Sequence, residues 1–359
     1  MKVLLLTRYQ RQGASSRMRF MQYLPYIADA GIDVTVSPLF SDAYVAGLQS
    51  GRRDAADMAR SYLRRLLVLL SCRKYDLLWI EKESLPWLPA PFEQALLSAR
   101  IPYVLDYDDA VFHYYDQHRH APVRSLLGGK HPALMRGAAL VVAGNEYLAD
   151  FARVAGAGRV EVVPTAIDLE RYDASAFQGA ANRTGPPAVG WIGQRATADF
   201  LQPLVPVFDH LAADGTGRFI AIGIDTKALG LPMDSIPWSE RTEVDSIRNL
   251  DVGIMPLVDG PFERGKCGYK LIQYMACGLP VVASPVGVNR QIVKHGENGF
   301  LAETPAEWAK ALLTLLADVD LRERMGRTGR QVVEREYCTR VTGPRLVELL
   351  MGVAALRAA

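Results

Sequence analysis

The chain has 359 residues, a formal net charge of +2 and 49% hydrophobic residues. That length suggests two domains, each able to bury a core, and so small a net charge gives no footing for a nucleic-acid partner. Cys72, Cys267, Cys277 and Cys338 form no CxxC pair and no zinc spacing, so they read as free thiols of a reducing compartment.

The chain opens on KVLLLT, a short apolar run that reads as a buried first strand rather than a signal peptide. No apolar run approaches the ~18 residues of a spanning helix. The expected location is cytoplasmic, with the inner face of a membrane as its peripheral variant. After strand one come the loop RYQRQGASSRMR, an amphipathic helix FMQYLPYIADAG ending at Gly31, and strand IDVTVSPL, a βαβ unit. DAADMARSYLRRLLVLLSCRKY is a long basic helix. Arg52, Arg53, Arg60, Arg64, Arg65, Arg73 and Lys74 surround its LLVLL run. Residues 52–74 read either as a core-packing helix with a solvated face or as a peripheral contact with an anionic bilayer.

Strand DLLWI, a loop and helix from ESLPW, strand IPYVLDY, a helix, strand ALVVAG, another helix and strand VEVVP complete a first domain, residues 1–172. Residues 173–187, DASAFQGAANRTGPP, read as a linker. The alternation restarts in residues 188–340 with AVGWIG, a helix from about Thr197 to Ala213, RFIAIG, SIRNLDVGIMPL, LPVVAS and GFLAE. Two helices close the chain, the last over residues 341–359. Alternating strands and helices predict an α/β protein with two parallel, doubly wound sheets.

Several stretches carry chemistry. Gly13, Ala14, Ser15, Ser16, Arg17 and Arg19 follow strand one. Small residues there let backbone approach a ligand, and arginine grips phosphate in bidentate fashion; the competing reading is a surface turn. There is no GxGxxG and no P-loop. Asp106, Asp108 and Asp109 form DYDD at a strand's carboxyl end, suited to capping, to base or acceptor contact, or to a divalent ion. His113, His118 and His120 follow at a spacing that matches no standard metal site. In WIGQRATADF, Gly193 ends a strand, and Arg195 and Thr197 precede a helix.

The most informative stretch is ERGKCGYKLIQYMACGLPVVASPVGVNR, residues 263–290. Gly265 and Gly268 loosen the entry to a helix over about Tyr269–Cys277, which Gly278 and Pro280 stop. Lys270, Gln273, Tyr274 and Cys277 share one face, opposite Leu271, Ile272, Met275 and Ala276. Lys270 lies in the first turn, where the helix dipole disfavours a cation by about 0.3–1 kcal/mol unless an anion binds there.

Taken together, GASSRMR, YDD, VVPTAIDLERY, WIGQRATADFL and GKCGYKLIQYMACGLPVVASPVGVN resemble a family 4, group 1 glycosyltransferase over nearly the whole chain, most closely from Asp251 to Leu301. The resemblance implies a GT-B fold: two Rossmann-like domains with parallel sheets facing across a cleft, the C-terminal helix crossing back to the first. It implies a hexosyltransferase-type enzyme that moves a sugar, with retention, from a nucleotide-diphosphate sugar to a glycan or lipid-linked saccharide. No metal and no cofactor are expected. The alternatives are a silent nucleotide-sugar-binding subunit and a GT-B epimerase.

The resemblance assigns the donor to Gly13, Ala14, Ser15, Arg17, Gly193, Arg195, Glu263, Lys266, Gly268, Lys270, Gln273, Gly287, Val288 and Asn289. Lys266 and Lys270 stand by the leaving diphosphate, and Asp109 or His113 is the base if a protein base is used. One departure stands out: the family's two glutamates, eight apart, are replaced by Gly265 and Gln273, with Glu263 as a substitute for the first and Gln273 turned towards ribose.

Overall fold

The computed structural model describes residues 1–49, 54–97, 101–172 and 185–355. Arg52, Arg53 and nearly all of the expected linker lie outside the described residues. The chain forms two compact units: residues 1–165 with 265–267 and 339–359, and residues 166–264 with 268–338.

In the first unit, β1 (Lys2–Tyr9), β2 (Asp33–Phe40), β3 (Leu77–Glu81), β4 (Tyr103–Tyr107), β5 (Leu140–Ala143) and β6 (Val160–Val162) form a parallel sheet in the order β2-β1-β3-β4-β5-β6. β3 and β4 are buried along their whole length, as continuous apolar runs are when helices cover both faces. The strand order reverses between β1 and β3. Helix Thr339–Ala355 belongs to this unit, where the Tyr23 and Thr342 hydroxyls meet at 2.8 Å.

In the second unit, β7 (Ala188–Ile192), β8 (Arg218–Ile222), β9 (Asp234–Ile236), β10 (Val252–Met255), β11 (Val281–Ala283) and β12 (Gly299–Leu301) pair in parallel in the order β12-β11-β10-β7-β8-β9, reversing between β7 and β10. Alternate residues feed two cores: Ala188 and Ile192 enter one, Val189 and Trp191 the other. The fold class read from the sequence is thus present as two Rossmann-like sheets.

Four local expectations are corrected. β9 was not read from the sequence. The single helix over 197–213 is a 3-10 run, Arg195–Leu204, followed by an α-helix, Val205–Ala213, because Pro203 and Pro206 remove amide donors there. Three helices close the chain: Pro305–Ala317, Val319–Glu336 and Thr339–Ala355. Residues 166–172, expected in the first domain, belong to the second unit, where the Ile167 amide donates to Tyr337 O at 2.9 Å.

Candidate functional site

In an open parallel sheet a ligand crevice forms beyond the strands' carboxyl ends, where strand order reverses. In the second unit that place is the end of β7 beside β10. Gly193 leaves β7 there. Across from it begins helix Tyr269–Ala276, whose N-cap, Gly268, has φ +65° and makes no side-chain cap. A left-handed N-cap is cheap only for glycine. The Lys270 ammonium lies 5.2 Å from the Trp191 ring centroid, and a Cβ built on Gly193 would stand 3.1 Å from Lys270 Cε while running into the Trp191 ring. Gly193, Trp191, Gly268 and Lys270 therefore form one cluster.

A second loop joins it. A Cβ on Gly268 would lie 3.3 Å from Val288 and 3.6 Å from Asn289 Oδ1. Asn289 is buried; its Nδ2 donates to Ser284 O at 3.0 Å, while Oδ1 accepts no hydrogen bond among the described residues. Gly287 has φ +51°, and a Cβ there would be 2.6 Å from Arg264 O. Glu263 is half-buried near Gly260, and Arg195 is exposed. Thr197 does not cap its helix: its hydroxyl donates to Gln194 O at 3.1 Å.

The polar face expected of helix Tyr269–Ala276 is not a surface. Leu271 to Ala276 are all buried, because the helix packs against both the sheet and helix Val319–Glu336. Gln273 donates to the Tyr172 hydroxyl at 3.2 Å, and that hydroxyl donates to Glu243 at 3.1 Å. The Tyr274 hydroxyl accepts from the Ile192 amide at 2.9 Å and so fastens the helix to the end of β7.

In the first unit the three aspartates take three different cations. Asp106 Oδ1 meets Arg19 Nε at 2.6 Å in a fully buried pair. Asp108 meets Lys82 Nζ at 2.6 Å and accepts from the Ser15 hydroxyl. Asp109 lies 3.9 Å from Lys266 Nζ. Burial opposes charge on both Lys82 and Asp108. Asp108 nonetheless holds the Lys82 ammonium above its ordinary value, and Lys82 holds the Asp108 carboxyl below its own.

The glycine-rich loop is tied down in the same way. Lys82 donates to Ser15 Oγ at 2.9 Å, Ser16 donates to Glu81 at 2.6 Å, and Arg17, 4% exposed, donates to Arg11 O at 2.8 Å. Gly13 is buried against Tyr9, and Ala14 opens the helix Ala14–Arg19.

Gly265 has a physical reason for carrying no side chain. A Cβ there would lie 2.5 Å from Ala110 Cβ and 2.9 Å from Ala110 N. Asn145 Nδ2 donates to Gly265 O at 2.9 Å and Lys266 O at 3.0 Å, holding the segment in that close approach.

Sequence reading missed the charged run EKES, residues 81–84, which begins on the last residue of β3. Lys82 has φ +63°. Lys130, buried, reaches Glu83 at 2.6 Å and Glu93 at 3.1 Å. Burial would raise the Glu83 carboxyl, but His131 and Lys130 outweigh it and hold it low. His131 is driven down to about 4 by burial and sits 2.8 Å from the Tyr107 hydroxyl. The available signal was the placement of four polar residues at the carboxyl end of a buried strand.

His113 meets Asp116 at 2.9 Å and the Tyr147 hydroxyl at 2.8 Å. Among the described residues no group of three or more His, Cys, Asp or Glu could hold a metal ion, and no helix is long and apolar enough to cross a membrane.

Residues 216–318 match the family model described as glycosyl transferases group 1. A D-inositol 3-phosphate glycosyltransferase from Xylanimonas cellulosilytica is 28% identical over 239 residues, 58% of this chain and 55% of that protein, so the chain spans about half the length of that curated relative. Sucrose-phosphate synthase from Thermosynechococcus elongatus superposes with a TM-score of 0.73 at 17% identity, covering 99% of this chain and 100% of that one. The Anabaena protein HepE, solved in complex with UDP-glucose, gives 0.69 at 18% identity, covering 98% and 100%. Residues 216–318 are thus similar to the group 1 glycosyltransferases, and the two parallel sheets give the chain the GT-B fold of these solved structures.

Proposed function

We propose that the protein is a retaining glycosyltransferase that moves a hexosyl group from a nucleotide-diphosphate sugar to a glycan or lipid-linked saccharide. The carrying observation is the cluster of Lys270, Trp191, Gly193 and Gly268 at a helix N-terminus beside the reversal point of the second sheet. Breaking a glycosyl–phosphate bond leaves a diphosphate and gives the sugar oxocarbenium character. A cation and free helix N–H groups aimed at the diphosphate stabilise that charge where it grows, so they raise rate as well as affinity. Lys270 takes this role; Gly287, Val288 and Asn289 present the loop towards the sugar. The reading needs no metal ion and no cofactor. A UDP-sugar is the first donor to test, because HepE was solved with one.

Asp109 is the acceptor-side base of this proposal, with Lys266 Nζ 3.9 Å from its carboxylate. Residues 52–74 are the proposed contact with an anionic membrane at its inner, cytoplasmic face. On helix Ala55–Leu70, Leu63, Leu67 and Leu70 are exposed, beside exposed Arg60, Arg73 and Lys74. Arg65 takes no part in that contact, since it is buried and donates to Thr7 O and Ser37 O at 2.7 and 2.9 Å.

The absence of a side chain at Gly265 favours a second reading, a nucleotide-sugar-binding subunit without turnover. Incubation with UDP-sugars, alone and with saccharide acceptors, tests both. The transferase gives a product of retained anomeric configuration only when acceptor is present. Isomerised donor without acceptor identifies an epimerase, and binding without any turnover identifies the silent subunit.

A further inference from the structure

We infer that Trp87 is a stacking platform for a pyranose ring of the saccharide acceptor. Trp87 lies past the carboxyl end of β3 and is 50% exposed. Trp79, Trp191 and Trp308, by contrast, are buried to within 2%. Its φ is +62°, and Lys82 and Trp87 are the two non-glycine residues of positive φ among the described residues. A bulky residue in the left-handed region is disfavoured, and it persists only where its surroundings over-determine the backbone.

Here they do. The Ser84 and Leu85 amides donate to Glu93, at 2.5 and 3.3 Å. Arg65 donates to Ser84 O at 3.3 Å, Lys130 to Leu85 O at 2.5 Å and Tyr62 to Pro86 O at 2.7 Å. The Trp87 amide donates to the Tyr115 hydroxyl at 3.0 Å, and that hydroxyl donates to Glu83 at 2.9 Å. Successive backbone groups are thus fastened by side chains from other elements, most of them buried. The same anchor holds the indole edge-on, with the Tyr115 ring at 5.0 Å and 88° and the His118 ring at 6.0 Å and 82°.

A buried ion network thus holds a strained backbone that ends in an indole packed by its edges and half open to solvent. An indole offers a rigid apolar face at little entropic cost on binding, and a pyranose offers a matching face of C–H groups with hydroxyls at its rim. His118 supplies polar ring nitrogens beside it. The site rests on the glycosyltransferase reading and specifies what the acceptor side recognises: a sugar ring, engaged through its apolar face.

The test is saturation-transfer NMR with methyl α-D-mannopyranoside and methyl β-D-glucopyranoside on wild type, Trp87→Ala and Trp87→Phe. Near-ultraviolet circular dichroism checks the fold, and calorimetry with UDP is run in parallel. Transfer to the ring C–H protons of at least one glycoside is expected in wild type. It should fall at least fivefold in Trp87→Ala and return in part in Trp87→Phe, with UDP affinity unchanged within twofold. No transfer in wild type, or equal transfer in wild type and Trp87→Ala, overturns the platform. A Trp87→Ala protein that differs from wild type only in sedimentation mass overturns it in favour of self-association. Failure of UDP and UDP-sugars to bind wild type would instead strike the glycosyltransferase reading, so the two failures are separable.

Discussion

The Lys270 ammonium stands 5.2 Å from the centroid of the Trp191 ring, and Gly193 is the residue that lets the two side chains share that space. A cation at this position in the first helical turn is unfavourable by itself. Contact with the π-face of a buried indole offsets part of that cost and directs the ammonium to the end of β7.

Gly193→Ala tests this crowding. Its Cβ would meet the Trp191 ring and approach Lys270 Cε. Overpacking of this kind costs about 1–3 kcal/mol. Urea unfolding should show a loss in that range, and calorimetry should show UDP binding weakened beyond what a remote destabilising substitution produces. Wild-type values for both would mean that the space around Gly193 has no function.

The buried ion group of the first unit makes a sharper stability statement. Lys130 is fully buried and serves both Glu83 and Glu93. Removing one partner of a buried pair leaves uncompensated charge, typically at a cost of about 3–5 kcal/mol. Lys130→Ala should lower the urea midpoint accordingly, whereas Glu83→Gln in the same background should recover part of the loss. A Lys130→Ala protein of wild-type stability would show that the group is solvated in solution.

His131 gives a pH dependence whose sign is set by its burial. Its folded pKa, about 4, lies below the ordinary value of 6.5, so the unfolded chain binds the extra proton first. Stability is therefore fully present above pH ~6.5 and is lost as pH falls towards ~4, by about 3 kcal/mol for this one group. His131→Asn should flatten the stability profile between those limits. A profile equally steep in the variant would assign the acid sensitivity to other groups.

The positive φ of Trp87 predicts an inverted order of substitutions. Glycine reaches that backbone region without penalty, whereas alanine does not. Trp87→Gly should be more stable than Trp87→Ala by about 1 kcal/mol, read from urea midpoints, although glycine usually destabilises. The ordinary order, alanine above glycine, would mean that the loop relaxes once the indole is gone.

How much of this was legible in the sequence divides along physical lines. Strands such as β3 and β4 announce themselves as apolar runs, and the resemblance carried by residues 263–290 pointed to the second unit. What the sequence withheld depends on contacts far apart in the chain. Gln273 was expected to turn towards ribose because it shares a helix face with Lys270; in the fold it is buried and donates to the Tyr172 hydroxyl, about a hundred residues earlier in the chain. Gly265 looked like a missing glutamate until Ala110 proved to occupy the place of its side chain. Lys82 and Lys130 were passed over because charge in a loop usually means solvent, and their carboxylate partners come from distant segments.

The central claim is that Lys270 engages the diphosphate of the donor. Calorimetry of UDP binding to wild type and Lys270→Ala tests it most directly, with circular dichroism confirming the fold. The variant should keep its fold and bind UDP more than tenfold more weakly, a loss of at least about 1.4 kcal/mol. Equal affinity for UDP in the two proteins would contradict it.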